Sequence, residues 1–298
     1  MGEERYAPYL SFLGLAPEES PPARARAAVL PIPYDLTTSY QPGARRGPIA
    51  ILEASTHLET YDEELDAETW KDVGVLTLPA VVPDTTGPAA TMERIREAAR
   101  EVVGAGRFLV GVGGEHSVTA PLVEAVRERH PAAGVLQLDA HADLRGSFEG
   151  SPHNHACVMH RLLEQGVAIA QVGIRSLTGE ERSLIRERGV CTVFAEEAVQ
   201  TPVSSWIPRV MDALPEEVYI TVDLDAFDPA IMPATGTPEP GGLDWYRTLA
   251  VLREVARHRR IVGFDVVELA PLPGNVAPDF LAAKLIYRLL GYAFLLRR

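Results

Sequence analysis

The sequence predicts an α/β fold, a mostly parallel sheet covered by helices on both faces. Short apolar runs rich in β-branched residues alternate with longer segments whose apolar residues recur about every 3.6 positions, the pattern of repeated βα units. Polar, chemistry-bearing residues also close four of the apolar runs. In open α/β sheets, ligands bind just beyond the carboxyl ends of the strands.

In chain order the expected strands are AAVLPIP near residue 30, VGVLTL from Val73, FLVGV from Phe108 and VLQLDAHAD from Val135. IAQVGI, VCTVF, VYITVDLDAFD and IVGFDVVEL follow. Between them MERIREAAREVVG, PLVEAVRERH, ERSLIRERG and RTLAVLREVARHRR carry helical spacing. The four strand-end motifs are GGEHS after FLVGV, DAHAD after VLQL, DLD after YITV, and VVE closing IVGFD. No internal repeat or low-complexity linker divides the chain, so residues 1–298 are expected to form one domain. Residues 1–26, with the proline-rich PEESPPARAR, read as an N-terminal arm, and TGTPEPGG, Thr235 to Gly242, as a wall over the site.

Composition narrows the partners. Asp and Glu number 41 against 28 Lys and Arg, a net charge of -13, which repels nucleic acid and suits a cationic substrate. Cys157 and Cys191 are the only cysteines, too few for a disulfide framework or a Cys-based zinc module. The natural home is then a reducing cytoplasm. The opening MGEERYAPYLSF is acidic where a secretory signal is basic. No run approaches the roughly 18 to 20 apolar residues of a membrane span.

The strand-end residues form a chemical set. In an extended DAHAD, Asp139, His141 and Asp143 fall on one face. Asp223 and Asp225 repeat the spacing in DLD, and His116 opens a helix after a glycine pair that lets backbone approach closely. Buried carboxylates repel one another unless a cation neutralises them. Oxygen-rich ligands with a minority of imidazole suit manganese better than tetrahedral zinc. Six candidates exceed one ion's needs, and sharing between two ions roughly 3.5 to 4 Å apart makes a water nucleophilic at neutral pH. Hydrolysis is the expected reaction. GVGG is no phosphate loop, since no GK[ST] follows.

With these motifs in hand, the chain from about Ala27 to its last helix resembles the ureohydrolase family of arginases and agmatinases. The likeness lies in GGEHS, DAHAD and VDLDAFDPAIMPATGTPEPGGL, with PYDLTTSYQPGARRGP similar to the family's N-terminal signature. It implies a three-layer αβα sandwich with an eight-stranded parallel sheet, assembled as trimers or hexamers. It implies two Mn2+ ions, one held by His116, Asp139, Asp143 and Asp223, the other by Asp139, His141, Asp223 and Asp225. Asp143 would move a proton to the leaving amine, His155 in NHACVMHR would shuttle protons, and Glu268 in DVVELAP would orient the guanidinium. The products would be urea and a primary amine.

The loop LRGSFEGSPHNH after DAHAD lacks the asparagine and serine pattern with which arginases read the amino-acid end of arginine. The remaining likeness is to bacterial and archaeal agmatinases, with agmatine going to putrescine in polyamine synthesis. Glu149 suits an amine tail. Aminopropylagmatine poses the same problem with a longer tail, and Arg145 suits the carboxylate of guanidinobutyrate. His153 and His160 are read as surface or packing residues and Cys157 as a small core residue. A one-zinc amide deacylase on the same fold is the alternative of another class, and a catalytically silent relative is a third.

Overall fold

The computed structural model describes residues 10–16 and 18–296. Eight strands form one sheet: β1 (Ala27–Ile32), β2 (Val75–Thr77), β3 (Phe108–Gly113), β4 (Gly134–Leu138), β5 (Ile169–Ile174), β6 (Cys191–Phe194), β7 (Glu217–Asp223) and β8 (Arg260–Val267). Their order is β2-β1-β3-β8-β7-β4-β5-β6, and every neighbouring pair is parallel. Each expected strand is present. Strands β1, β4 and β5 are buried along their whole length, because a parallel sheet is covered on both faces and its strands read as continuous apolar runs.

Among the described residues ten α-helices supply the cover: α1 (Gly47–Ser55), α2 (Thr69–Val73), α3 (Pro88–Gly104), α4 (Thr119–Arg127), α5 (Val158–Glu164), α6 (Gly179–Arg188), α7 (Ala195–Gln200), α8 (Val203–Ala213), α9 (Trp245–His258) and α10 (Ala277–Leu295). One core unites Met92, Ile95 and Val102 of α3 with Leu122, Met159 and Ile185 of α4, α5 and α6. The other unites Ile51, Trp206, Leu252 and Leu289 of α1, α8, α9 and α10. At about 1.5 to 3 kcal/mol for each large apolar side chain fully buried, these two layers are the main force holding the sheet. Arg288 of α10, 4% exposed, is pinned to buried Asp62 at 2.8 Å and also pairs with Glu63 and Glu64.

The expected N-terminal arm falls partly outside the described residues, since residues 1–9 and 17 are not among them. The part described is stitched to the sheet. Phe12 is fully buried and its N–H donates to Thr77 Oγ1 at 2.8 Å, while Ser20 Oγ donates to the Val75 carbonyl at 2.8 Å.

Two expected local conformations differ. Strand β4 stops at Leu138, so DAHAD is not extended: its only ladder contact is the isolated pairing of His141 with Ser176, and Asp143 adopts a left-handed φ of 53°. Strand β7 likewise stops at Asp223, and a 3-10 turn over Leu224–Ala226 carries Asp225. Alternation of side chains is a property of paired strand, and regular pairing has ended at Leu138 before DAHAD and at Asp223, the first residue of DLD.

Candidate metal centre and its cavity

The sheet order brings the four motifs together. GGEHS, VVE, DLD and DAHAD end β3, β8, β7 and β4, four consecutive neighbours at the middle of the sheet. The first turn after β3 needs its glycine, because a Cβ on Gly114 would stand 1.8 Å from the Tyr34 carbonyl oxygen. That close approach seats His116, completely buried, at the start of a 3-10 turn leading into α4.

Around His116 the geometry is specific. Its Nδ1 lies 3.0 Å from Asp139 Oδ2, 3.0 Å from Asp143 Oδ2 and 3.3 Å from Asp223 Oδ2. It nevertheless has no aligned hydrogen-bond partner. One N–H can point at one oxygen, so a nitrogen facing three carboxylates is suited to a point charge among them. On the other side of the ring, Nε2 lies 2.9 Å from Thr221 Oγ1, which donates to Asp265 Oδ1 at 2.6 Å; Tyr219 also donates to that carboxylate, at 2.8 Å. With Thr221 donating onward, Nε2 carries the proton and the Nδ1 lone pair faces the carboxylates, the tautomer that binds metal.

The second group is built on Asp139, His141 and Asp225. His141 Nδ1 is 2.9 Å from Asp225 Oδ2 and 3.7 Å from Asp139 Oδ1. Main-chain donors hold the acids in place: His141 N to Asp139 Oδ1 at 2.6 Å, Ala140 N to Asp225 Oδ1 at 3.1 Å, Asp225 N to Asp223 Oδ1 at 2.9 Å. Gln137 Nε2 donates to Asp139 Oδ2 at 2.7 Å. His116, Asp139 and Asp223 form one group with ligand atoms close enough for an ion, and Asp139, His141 and Asp225 another, so Asp139 belongs to both.

Electrostatics agree with a site built for cations. Burial raises Asp143 to about 6, helped by Asp139, and lifts Asp223 well above the ordinary carboxylate range, with Asp225 and Asp139 adding repulsion. Burial alone would lower His141, but Asp225 and Asp139 push it up to about 12; His116 rises for the same reason against its three acids. Without metal, protons on the imidazoles stand in for positive charge. The donor set of two imidazoles and four carboxylates therefore fits a pair of hard divalent ions.

Beside the cluster, Glu268 is 4% exposed, with a left-handed φ of 67°. Its Oε1 accepts from His116 N at 2.7 Å and lies 3.4 Å from His155 Nδ1. Burial would lower His155, yet Glu268 and the nearby acids raise it to about 9. Ser39 Oγ lies 3.0 Å from His155 Nε2, fixing the ring from its far side. Thr37 ties that loop down, its N–H donating to Glu115 Oε2 at 2.7 Å and its Oγ1 accepting from His155 N at 3.1 Å.

These groups open on a cavity of about 630 Å3, lined by His141, Asp143, Arg145, His155 and Asp223 of the residues singled out from sequence. His116, Asp139, Asp225 and Glu268 lie in the walls behind. Glu149 does not line the cavity: it sits exposed at a tip with φ of 48°. The Arg145 guanidinium lies 4.2 Å over the Phe148 ring. Cys157 is buried and its thiol is pushed up to about 11, mainly by burial, which leaves it unreactive. His160 lines an adjoining depression, and burial lowers His153. Sequence reasoning passed over Thr221, Asp265, Glu115 and Ser39, whose side-chain partners are distant in the chain, and Glu239, which reaches the cavity from the TGTPEPGG loop.

An αβα sheet whose central strand ends converge on a shared aspartate, further aspartates and two histidines, above a cavity, defines a metal-dependent α/β hydrolase centre. The chain belongs to the arginase family, whose model matches residues 25–291. It is 42% identical over 276 residues to an N(1)-aminopropylagmatine ureohydrolase of Synechocystis sp., covering 91% of this chain and 90% of the relative. It is 36% identical to an agmatinase of Pyrococcus horikoshii, covering 88% and 90%. The agmatine ureohydrolase structure of Thermoplasma volcanium superposes with a TM-score of 0.81 at 31% identity, covering 91% of this chain and 90% of that one. Among the described residues no helix is long and apolar enough to cross a membrane.

Proposed function

We propose that the chain hydrolyses a cationic guanidino compound to urea and a primary amine with two manganese ions. The observation that carries this is the buried His116 Nδ1, facing three carboxylates without an aligned hydrogen bond. His116, Asp139, Asp143 and Asp223 would hold one ion, and Asp139, His141, Asp223 and Asp225 the other. Bound there, the ions supply Lewis-acid polarisation and a nucleophilic water at neutral pH.

The chain's own residues do the rest. Glu268 accepts N–H groups of the planar guanidinium and orients its carbon. Asp143 takes a proton from the attacking water and passes it to the departing nitrogen. His155, charged at neutral pH and held between Ser39 and Glu268, donates to the leaving amine. Agmatine, giving putrescine, is the substrate that the sequence alone puts first. N1-aminopropylagmatine moves ahead of it on the relative at 42% identity, and the cavity of about 630 Å3 suits the longer tail. We place the protein in the cytoplasm, as one domain with an N-terminal arm, assembled as a homotrimer or homohexamer.

The test is urea release by manganese-loaded protein from agmatine, aminopropylagmatine, guanidinobutyrate and arginine, compared by kcat/KM. Preference for an amine-tailed compound supports the reading and names the substrate. No urea from any, together with one tightly bound zinc per chain, would replace it with the deacylase.

A further inference from the structure

Among the described residues four carboxylates line the cavity: Asp143, Glu181, Asp223 and Glu239. Asp143 and Asp223 belong to the cluster around His116. Glu181 is committed to the main chain, its Oε1 accepting from Leu144 N at 3.0 Å and its Oε2 from Thr178 N at 2.7 Å, in the capping box that starts α6. Glu239 is half-buried, and among the described residues its carboxylate has neither a hydrogen bond nor an ion pair. A charge in that position is left for something that enters the cavity.

Its mount is rigid. Arg175 Nη2 donates to the Glu239 carbonyl at 2.8 Å and to the Asp225 carbonyl at 2.7 Å, so one guanidinium nitrogen ties the Glu239 backbone to a residue of the metal cluster. Arg175 Nη1 reaches back to the Gly173 carbonyl at 3.0 Å. The far end of the same loop is held where Asp228 Oδ2 accepts from Gly241 N at 2.9 Å and Gly242 N at 3.2 Å. A free carboxylate on a pinned loop, in the cavity that receives the guanidinium, is placed to meet a second positive charge on the same ligand.

We propose that Glu239 reads the substrate's tail: it binds the ammonium at the end opposite the guanidinium and makes amine-tailed guanidines the preferred class. The assignment rests on the ureohydrolase reading and deepens it. Glu149 is excluded from this role by its place outside the cavity. Arg145 is the competing charge, since a carboxylate tail would be drawn to it instead.

The experiment compares manganese-loaded wild-type protein with Glu239→Gln, Glu239→Asp and Glu239→Lys on agmatine, n-butylguanidine and guanidinobutyrate. The first two substrates differ in the terminal ammonium. Glu239→Gln should lower the agmatine-to-butylguanidine ratio of kcat/KM about tenfold or more, the worth of one charge-assisted hydrogen bond, mainly through KM. Glu239→Asp should recover part of the ratio, and Glu239→Lys should turn preference toward guanidinobutyrate. Manganese content and melting temperature measured on each variant separate a reader of the tail from a prop for the loop. A ratio within twofold of wild type in Glu239→Gln overturns the proposal, as does a tail preference that moves only with Arg145→Gln. Wild-type protein that releases no urea from any guanidine overturns both this proposal and the reading beneath it.

Discussion

Thr221→Val is the sharpest test of how the metal centre is prepared. The substitution keeps the shape and removes one hydroxyl, which meets His116 Nε2 at 2.9 Å, Asp265 Oδ1 at 2.6 Å and Thr119 Oγ1 at 3.3 Å. All four residues are buried. The imidazole loses the partner that fixes its tautomer, and two buried polar groups lose a hydrogen bond, each at about 1 to 3 kcal/mol. A fall of roughly 4 to 10 °C in the Tm of the metal-free protein is expected for a chain of this size. Manganese affinity should fall about 10- to 100-fold, as when the outer partner of a ligating histidine is lost. Competition with a fluorescent chelator gives the dissociation constants, and Thr221→Ser, which keeps the hydroxyl, should stay near wild type in both. Manganese affinity in Thr221→Val within threefold of wild type would refute the relay, whatever happens to stability.

Three further outcomes follow from the same geometry. Asp143 and His141 have folded-state pKa values above their ordinary ones, about 6 and about 12, so the stability they contribute is present at low pH and lost as pH rises through those values. Manganese displaces these protons; its gain in Tm should therefore be larger at pH 8 than at pH 5.5, with proton release seen by calorimetry in buffers of different ionisation heat, and a pH-independent gain would contradict the cluster's charge state. In metal-free Glu268→Gln, burial of His155 persists while the charge that does most to raise it is gone, so NMR should find its titration below about 9, and the manganese-loaded variant should have kcat/KM lower by about 10²- to 10³-fold; an unmoved titration would separate the two residues. Arg288→Ala strands Asp62, a completely buried carboxylate, and should cost about 3 to 5 kcal/mol by denaturant unfolding; a loss under 1 kcal/mol would contradict the pinning role of this pair.

The strands were legible in the sequence because a parallel sheet leaves them no solvent face, and unbroken Val, Ile and Leu runs have few other uses. Helices were harder. α3 and α9 show a polar face and an apolar stripe, but α10 buries residues all round, from Pro278 to Tyr292. α8 carries Pro208 inside it, a residue that argues against a helix when only sequence is read. The motif residues were legible because their chemistry is unusual at a strand end. Their supports were not: Thr221 lies 105 residues from His116, and Thr37 lies 78 from Glu115. No local spacing encodes such pairs, which exist only once β1 lies beside β3, and β3, β8 and β7 lie side by side. For the tail, Glu149 drew attention by lying between DAHAD and NHAC, whereas the cavity takes Glu239 from the TGTPEPGG loop, read from sequence only as a wall.

Backbone strain gives the same account of the centre. Asp143 and Glu268 are the non-glycine residues lining or backing the cluster that have a left-handed φ, a conformation costing about 1 to 3 kcal/mol in such residues. Each is held there by neighbours that are themselves fixed. The Asp143 carbonyl accepts from Met159 N at 3.0 Å and His160 N at 3.2 Å at the start of α5, and Glu268 N donates to the Gly114 carbonyl at 2.8 Å. Repulsion among the acids and strain beneath two of them both oppose folding, and both are met by the two apolar layers around the sheet. The acids and the histidine of the centre are thus held by their neighbours, Thr221 against the His116 ring and main-chain donors against Asp139, Asp223 and Asp225. Thr221→Val, which removes one hydroxyl from that set, is therefore expected to act on affinity through the His116 tautomer.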